Sequence, residues 1–187
     1  MLVDVTHPWH GLPSRPANEA SGINVVIEIP QGSKLKYELD KPTGLLRLDR
    51  VLHSSVIYPA NYGFVPRTYT PDEDPLDVLV LCSEPVHPLS IVVGRPIGVM
   101  RMLDSGRIDD KIIAVTASDP AFADYEDISQ LPRHVMREMG RFFLDYKKNE
   151  EKEVSVEAPL GAKDAHKVIV EAIELYRAEE NSLRGWK

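Results

Sequence analysis

Residues 71–82 have the sequence Pro71-Asp72-Glu73-Asp74-Pro75-Leu76-Asp77-Val78-Leu79-Val80-Leu81-Cys82. Four carboxylates lie within six residues, and the apolar run behind them predicts a buried strand. Pro75 fixes φ and removes a backbone donor, so we expect a turn there, with Asp77 at the mouth of the strand. Two like charges about 4 Å apart repel by roughly 1 kcal/mol in water and about 4 kcal/mol at an effective dielectric of 20. Such a stretch therefore needs a compensating cation.

The donors in this acidic run are carboxylate oxygens alone, without histidine or cysteine. Oxygen ligands suit hard ions, so Mg²⁺ or Mn²⁺ is favoured over Zn²⁺. A calcium loop is excluded, because its sixth position should be Gly and is Asp77, and its twelfth should be Glu and is Ser83. Asp72 and Asp74 share a face if the segment is extended. A solvated acidic loop without chemistry is the alternative.

Alternation and β-branched residues predict further strands over 22–29, 34–39, 45–52, 90–103 and 111–117. Pro and Gly within 90–103 predict an edge strand or a bulge there. A second acidic turn, residues 104–110, lies just before the strand over 111–117. Two C-terminal helices carry apolar stripes, one with Val135, Met139, Phe142, Phe143 and Tyr146, the other with Ala165, Val168, Ile169, Ala172 and Tyr176. Short strands at this spacing predict a barrel.

Composition limits the function classes. The chain of 187 residues suits one domain with a sizeable core, preceded by an irregular arm over residues 1–21. The two histidines of the arm invite a metal site, but a packed or solvated arm is the favoured interpretation. A net charge of −7 argues against a nucleic-acid partner. We expect no signal peptide and no membrane span, and the one cysteine, Cys82, fits a reducing, cytoplasmic compartment.

The sequence resembles family I soluble inorganic pyrophosphatases of the prokaryotic type, from about Gly22 to the last helix. Residues 72–78 match the family signature D-x-D-P-x-D-x-[VL], which is highly specific. The flanking matches are Val26-Ile27-Glu28-Ile29-Pro30, Lys36-Tyr37-Glu38, Asp49-Arg50, Tyr58-Pro59-Ala60-Asn61-Tyr62-Gly63, Gly98-Val99-Met100, Asp104 with Asp109 and Lys111, Phe142-Phe143, and Tyr146-Lys147.

The resemblance implies a mixed α+β fold that is mainly β: a five-stranded, OB-like closed barrel with two main helices packed against it. It implies an inorganic diphosphatase that hydrolyses pyrophosphate to two phosphates with a metal-activated water and several Mg²⁺ ions, Mn²⁺ being a possible substitute. Residues 22–187 would form a single domain. By the same resemblance we expect a homo-oligomer, namely a hexamer.

The resemblance also implies roles for individual residues. Asp72, Asp77 and Asp109 would hold two activating metals, with Asp77 bridging them. Asp104 and Asp109 would hold a metal that arrives with substrate, and Glu28 would support a further one. Asp74 would be the general base. The implied phosphate ligands are Lys36, Arg50, Tyr62, Lys111, Tyr146 and Lys147, and the residues behind these groups are Glu38, Asp49 and Tyr58.

The chain departs from the family pattern in three places. Ser105 follows Asp104 where many members have an acidic residue, the segment 148–153 is one residue short, and residues 1–21 match weakly. Two other functions are weighed: a Mg²⁺-dependent nucleotidyl or glycosyl transferase that uses Asp72 and Asp74, and a non-catalytic OB-like binding module. The first lacks a glycine-rich loop that opens a helix. The second would want a basic surface with exposed aromatic residues.

Overall fold

The strands are short and follow one another closely, as the alternation predicts. The structure is a computed structural model, and it describes residues 7–18, 22–104, 106–146 and 154–185, with only the backbone of Asp104. In chain order the strands of these residues are β1 (Ile23–Ile29), β2 (Leu35–Asp40), β3 (Leu45–Val51), β4 (Asn61–Phe64), β5 (Asp77–Leu81), β6 (Ile91–Met100), β7 (Met102–Asp104), β8 (Arg107–Ile108), β9 (Lys111–Thr116), β10 (Val154–Val156) and β11 (Leu160–Gly161).

Five of these strands close into the predicted barrel. They follow the order β1-β4-β5-β9-β6, and β1 pairs with β6 to complete the circle. The pairing of β5 with β9 is parallel, and the other pairings within the barrel are antiparallel. The expectation of an OB-like closed barrel that is mainly β is therefore confirmed. Closure removes the exposed strand edges that would otherwise pair with another chain.

Strand β6 confirms one of the two predicted possibilities, an edge strand or a bulge. The bulge is present, as a register shift between Pro96 and Gly98 in the pairing with β9. The strand is not at an edge, because it pairs with β9 on one side and with β1 and β11 on the other. The bulge accommodates Pro96, since the ladder is already interrupted there. Gly98 allows the close approach of β11, because a Cβ there would lie 2.8 Å from the carbonyl oxygen of Leu160.

Both helices pack apolar stripes against the barrel, as predicted. They are α1 (Arg133–Tyr146) and α2 (Ala162–Leu183). From α1, Met139, Phe142 and Phe143 join a core cluster with barrel residues such as Leu79 and Ile113. A second cluster joins residues of α2, among them Ala165, Ile169 and Ala172, to Val78, Val80 and Ile112. Alternate residues of β5 thus pack into different clusters, which is why all residues of the strand after Asp77 are apolar.

The hairpin β2–β3 and the arm complete the fold. The hairpin stands beside the barrel and has an exposed outer side, with Leu45, Leu48 and Val51 each at least half exposed. In the arm, the described residues 7–18 are irregular, and Trp9 is buried. Within the described residues, neither helix has the length and apolar character needed to span a membrane. The division of the chain at residue 22 stays a prediction.

Candidate active site

One cavity of about 510 Å³ gathers most of the predicted site residues. Strands β1, β2, β4, β5 and β9, the acidic turn before β5 and the end of α1 all contribute to its wall. The predicted residues that line it are Glu28, Lys36, Glu38, Tyr58, Tyr62, Asp72, Asp74, Asp77, Asp109, Lys111 and Tyr146. The side chain of Asp104 and the whole of Lys147 lie outside the described residues, as does Ser105. The tightly packed barrel therefore brings together residues far apart in sequence.

The acidic run forms a turn rather than an extended segment. The amide of Glu73 donates to the carbonyl of Thr70, the amide of Thr70 donates to the carbonyl of Asp74, and Glu73 has a φ of 72°. The hydroxyl of Thr70 lies 2.5 Å from Oδ1 of Asp72 and 2.7 Å from the carbonyl oxygen of Asp74. Asp72 and Asp74 therefore reach the cavity because the turn presents them, not because they alternate along a strand.

Asp77 and Asp109 contact the same ammonium group. Strands β5 and β9 pair in parallel, and their register places Asp77 opposite Lys111. The Nζ of Lys111 donates to the carboxylates of both Asp77 and Asp109, and the lysine side chain is only 4% exposed. Burial alone would lower the pKa of Lys111, but these two carboxylates outweigh it and raise the pKa well above its ordinary value. Lys111 is therefore charged throughout the physiological range.

Burial raises the pKa of three carboxyls that line the cavity, those of Glu28, Asp72 and Asp77, above the ordinary value. Burial raises the pKa of Asp77 to about 6, and Asp109 adds to the effect, whereas Lys111 opposes it. Burial raises the pKa of Glu28 to about 8, and the charge of Asp77 contributes. The amide of Leu39 donates to Glu28 at 2.7 Å and acts in the opposite direction. Among the described residues, six carboxyls and four cationic side chains line the cavity, so additional positive charge would stabilise the ionised carboxylates.

The donor chemistry fits hard divalent ions. Glu28, Asp72, Asp77 and Asp109 offer only carboxylate oxygens to one cavity, as Mg²⁺ and Mn²⁺ prefer. Within the described part of the chain, no three acidic, histidine or cysteine side chains are gathered closely enough to hold an ion. At the cavity floor the ammonium of Lys111 contacts the carboxylates of both Asp77 and Asp109.

Tyrosines form one wall beside these charges. Tyr62 lies 5.5 Å from Tyr58 and 6.4 Å from Phe143 between ring centroids, and its hydroxyl hydrogen-bonds to Asp77. Burial raises the pKa of Tyr62 and of Tyr58 well above the ordinary value. The hydroxyl of Tyr62 therefore remains protonated and able to donate. Tyr146, at the end of α1, packs 5.5 Å from Phe143.

Lys36 is held from the hairpin side. Its ammonium donates to Glu38 and lies 3.5 Å from Oδ2 of Asp49. Arg50 contacts the same oxygen of Asp49 at 3.0 Å and stands opposite Lys36 in the hairpin register. Among the described side chains that line the cavity, neither Asp49 nor Arg50 is present. The predicted role of Arg50 as a phosphate ligand stays a prediction.

Two cationic side chains that line the cavity were not among the residues predicted from the sequence. Lys41 follows β2, and its Nζ lies 2.6 Å from Oδ1 of Asp74. Arg107 belongs to β8 and also lines the cavity. Lys41 is next to Asp40 in an ordinary turn, and Arg107 stands two residues before Asp109. Neither position belongs to a motif that could have identified it, although the proximity of Arg107 to Asp109 was a weak signal.

A closed barrel whose cavity is lined by carboxylates, ammonium groups and phenols defines an enzyme for a small, highly charged anion. Comparisons with known proteins support this. Residues 25–177 match the family model described as inorganic pyrophosphatase. Soluble inorganic pyrophosphatase 2 of Chlamydomonas reinhardtii is 57% identical over 173 residues, which cover 92% of this chain and 89% of the relative. The soluble inorganic pyrophosphatase of Zea mays is 58% identical over 170 residues, or 91% of this chain and 79% of the relative.

Solved structures agree. The inorganic pyrophosphatase of Thermus thermophilus superposes with a TM-score of 0.84 at 37% identity and covers 89% of this chain and 97% of its own. That of Helicobacter pylori gives a TM-score of 0.83 at 40% identity, with 87% and 98% covered. The chain therefore belongs to the inorganic pyrophosphatase family. The comparisons favour neither the transferase nor the binding module considered from the sequence.

Proposed function

We propose that this chain is an inorganic diphosphatase, which hydrolyses pyrophosphate to two phosphates in the cavity described above. The observation that carries the proposal is the convergence of the acidic turn, Asp77, Asp109 and Lys111 on one cavity. Pyrophosphate is small and highly charged, so its binding must be electrostatic, and the wall of this cavity is built from charged and phenolic side chains. The family membership of residues 25–177 supports the same reaction.

We propose Asp72, Asp77, Asp104, Asp109 and Glu28 as the metal ligands. Mg²⁺ is the ion that their oxygen donors favour, and Mn²⁺ is the closest substitute. Bound divalent ions would lower the pKa of a water molecule and neutralise charge on the phosphate oxygens. The raised pKa values of Asp77 and Glu28, which burial mainly causes, fit this assignment, because a bound cation would stabilise both carboxylates in their ionised form.

Asp74 is the proposed general base. Its side chain is 53% exposed at the cavity rim, where water reaches it. Water attacks one phosphorus and gives its proton to the carboxylate of Asp74. The bond from that phosphorus to the bridging oxygen breaks, and the second phosphate leaves with the bridging oxygen and its electron pair. A positioned base of this kind contributes about 10²–10⁴-fold to the rate.

The phosphate ligands surround the two phosphates. Lys36 and Lys111 supply ammonium groups, and Tyr62 and Tyr146 supply hydroxyls from the aromatic wall. Arg50 and Lys147 are assigned to the same task on the resemblance alone. The supporting residues act through these groups: Glu38 and Asp49 hold the ammonium of Lys36, and Tyr58 packs against Tyr62.

The experiment is phosphate release from pyrophosphate, first with Mg²⁺, then with a chelator, then with Mg²⁺ restored. We expect two phosphates per substrate, a loss of release on chelation and full recovery. Asp74→Asn should lower turnover by about 10²–10⁴-fold while Mg²⁺ binding remains measurable by titration calorimetry. Turnover near that of the wild type would remove Asp74 as the base, and a lack of release at every metal concentration would refute the reaction itself.

Assembly and location are further proposals. We propose a homo-oligomer, and specifically a hexamer, on the family resemblance. The exposed apolar side chains of Leu45, Leu48, Val51 and Ile57 support contact between copies. Sedimentation would test the state directly. The cytoplasm is the proposed compartment, because the lone Cys82 is a free thiol and suits reducing conditions.

A further inference from the structure

Lys41 connects two parts of the acidic turn. Its ammonium lies 2.6 Å from Oδ1 of Asp74 and donates to the carbonyl oxygen of Glu73 at 2.8 Å. The contact is made by Oδ1 of Asp74, whose side chain lines the cavity and is 53% exposed, so water can reach the carboxylate. One side chain from the β2–β3 hairpin thus fixes a carboxylate and the peptide that precedes it.

The turn that Lys41 holds needs such support. Glu73 has a φ of 72°, in the left-handed region that residues other than glycine rarely adopt. Structures keep such residues only where their surroundings hold them in place, often at functional sites. The ammonium of Lys41 donates to the carbonyl oxygen of Glu73, and the hydroxyl of Thr70 donates to the carbonyl oxygen of Asp74. The direction of the Asp74 side chain therefore depends on contacts from outside the acidic run.

The N-terminal arm places Lys41. The ring of His7 donates from Nε2 to the carbonyl oxygen of Lys41 at 2.7 Å, and the ammonium of Lys41 lies 5.9 Å from the ring centroid of Trp9. The indole of Trp9, which is buried, donates to the carbonyl of Thr68 at 2.8 Å. Pro8 and His7 also pack so closely on the hairpin turn that a Cβ on Gly44 would lie 2.9 Å from Pro8.

The arm is itself anchored to the body of the protein. The backbone amide of Arg67 donates to the carbonyl oxygen of Trp9 at 2.9 Å. The side-chain Nε of Arg67 donates to the carbonyl oxygen of His10, also at 2.9 Å. Arg184, just after α2, donates to the same carbonyl of His10 at 2.6 Å. Residues 7–10 precede the family match, which begins at residue 25. An element outside the matched region thus forms part of the support of the active-site wall.

We propose that Lys41, placed by residues 7–10 of the arm, is a positioning residue that aims the carboxylate of Asp74 at the attacking water. The proposal rests on the role of Asp74 as base in the proposed function. Lys41 holds Oδ1 and the Glu73 carbonyl, so Oδ2 keeps one direction. Removal of the ammonium lets the turn and the carboxylate adopt several orientations, of which few accept the proton.

The test compares three variants in steady-state hydrolysis of pyrophosphate with saturating Mg²⁺. Lys41→Met keeps the aliphatic stem without the charge, Lys41→Arg keeps a donor, and Arg47→Met is the matched control. Arg47 belongs to the same hairpin and pairs with Asp40, away from the cavity. A misplacement of about 1 Å costs up to about 10²-fold in rate, so Lys41→Met should lower kcat between about tenfold and 10²-fold.

The division between kcat and KM identifies the role. We expect the KM of Lys41→Met to stay within about twofold of the wild type, since a positioning effect acts on the chemical step. Lys41→Arg should recover most of kcat, and Arg47→Met should match the wild type. An unchanged kcat for Lys41→Met overturns the proposal. A raised KM with kcat unchanged also overturns it and makes Lys41 a substrate ligand instead.

A double mutant separates this proposal from the proposed function. Lys41→Met in an Asp74→Asn background should lower kcat no further, because the positioned group is already gone. A further loss of the same size overturns the positioning role. If Asp74→Asn alone keeps its turnover, the base assignment fails, and the inference fails with it. If Asp74→Asn is inactive while Lys41→Met is fully active, only the positioning inference fails.

The contribution of the arm has its own readout. His7→Ala removes the hydrogen bond to the Lys41 carbonyl. We expect a smaller fall in kcat than for Lys41→Met. The loss of a hydrogen bond typically costs about 0.5–1.5 kcal/mol, which corresponds to a fall of about two- to tenfold. KM should be unchanged, and no additional loss is expected when both substitutions are combined. Wild-type kcat in His7→Ala overturns the part of the proposal that assigns placement to the arm.

Discussion

Asp77 and Lys111 stand opposite each other on the two parallel strands of the barrel, and the ammonium donates to the carboxylate. Apart from Thr116 at the end of β9, the other residues of β5 and β9 are apolar, so the pair marks the point where the buried barrel opens into the cavity. The floor of the site is therefore part of the barrel rather than of a surface loop. Its geometry is as rigid as the strand pairing that supports it.

We predict that Asp77→Asn lowers metal affinity and turnover together. The substitution keeps the shape but removes one negative charge from the proposed bridging ligand. We expect Mg²⁺ affinity to fall by at least about 10–100-fold, the loss that is typical of residues that only support metal ligands. Titration calorimetry with Mg²⁺ and the rate of phosphate release measure the two effects. Asp164→Asn is the matched control, since Asp164 pairs with Lys167 on α2, far from the cavity lining. Unchanged Mg²⁺ affinity in Asp77→Asn would contradict the bridging role.

The acidic turn and the barrel could be predicted because their signals are local. Asp72, Asp74 and Asp77 are adjacent in sequence, and the alternation of the strands needs no knowledge of their partners. The ion pair of Asp77 with Lys111 spans 34 residues and depends on a parallel pairing that the pattern alone does not reveal. The place of Lys41 in the cavity wall depends on how the hairpin folds against the acidic turn. Sequence patterns therefore identified the acids better than the cations that hold them.

Arg107 should strengthen the binding of substrate. It lines the cavity, and within the described part of the chain it forms no ion pair, whereas Lys36, Lys41 and Lys111 each contact carboxylates. We therefore expect its guanidinium to contact a phosphate oxygen of the bound substrate. A contact worth about 1.4 kcal/mol corresponds to tenfold in affinity, so Arg107→Met should raise KM about five- to tenfold with little change in kcat.

Initial rates over a range of pyrophosphate concentrations at fixed Mg²⁺ measure this effect. Arg141→Met is the control, because Arg141 is an exposed residue of α1 that pairs with Asp145 and does not line the active cavity. The same KM in both variants would show that Arg107 contributes nothing to substrate binding.

Gly63 should be irreplaceable for a structural reason. It pairs with Ile27 across β4 and β1, and a Cβ at this position would lie 1.9 Å from the carbonyl oxygen of Val26. The contact is with backbone, which cannot move without breaking the barrel. Gly63→Ala should therefore lower the free energy of unfolding by about 3 kcal/mol, at the upper end for overpacking.

Gly140 offers the matched substitution. It lies inside α1, where a Cβ would meet Val156 at an ordinary 3.9 Å and no other described residue within 4 Å. Since alanine favours a helix by about 0.8–1.0 kcal/mol over glycine, Gly140→Ala should leave stability unchanged or raise it. Urea unfolding curves compare the two, and equal midpoints for Gly63→Ala and the wild type would contradict the predicted clash.

His10 should make stability depend on pH in the acidic range. Burial lowers its pKa from 6.5 to about 4, with the charges of His7, Arg184 and Arg67 acting in the same direction, and its Nδ1 shares a hydrogen bond of 2.8 Å with the Tyr176 hydroxyl. Below pH 6.5 the unfolded chain takes up a proton at this residue before the folded protein does. The stabilisation is therefore complete above pH 6.5 and is lost as pH falls toward 4, by up to about 3 kcal/mol.

His10→Gln removes this titration and tests the sign. The wild type should lose more free energy of unfolding than the variant between pH 6.5 and pH 4, so the difference between their unfolding free energies shrinks as pH falls. Urea unfolding at half-unit steps of pH gives both curves, and the comparison cancels the acid titrations that the two proteins share. Parallel curves would mean that His10 takes up its proton equally readily in the folded and unfolded chain, and that its burial against Tyr176 carries no cost in acid.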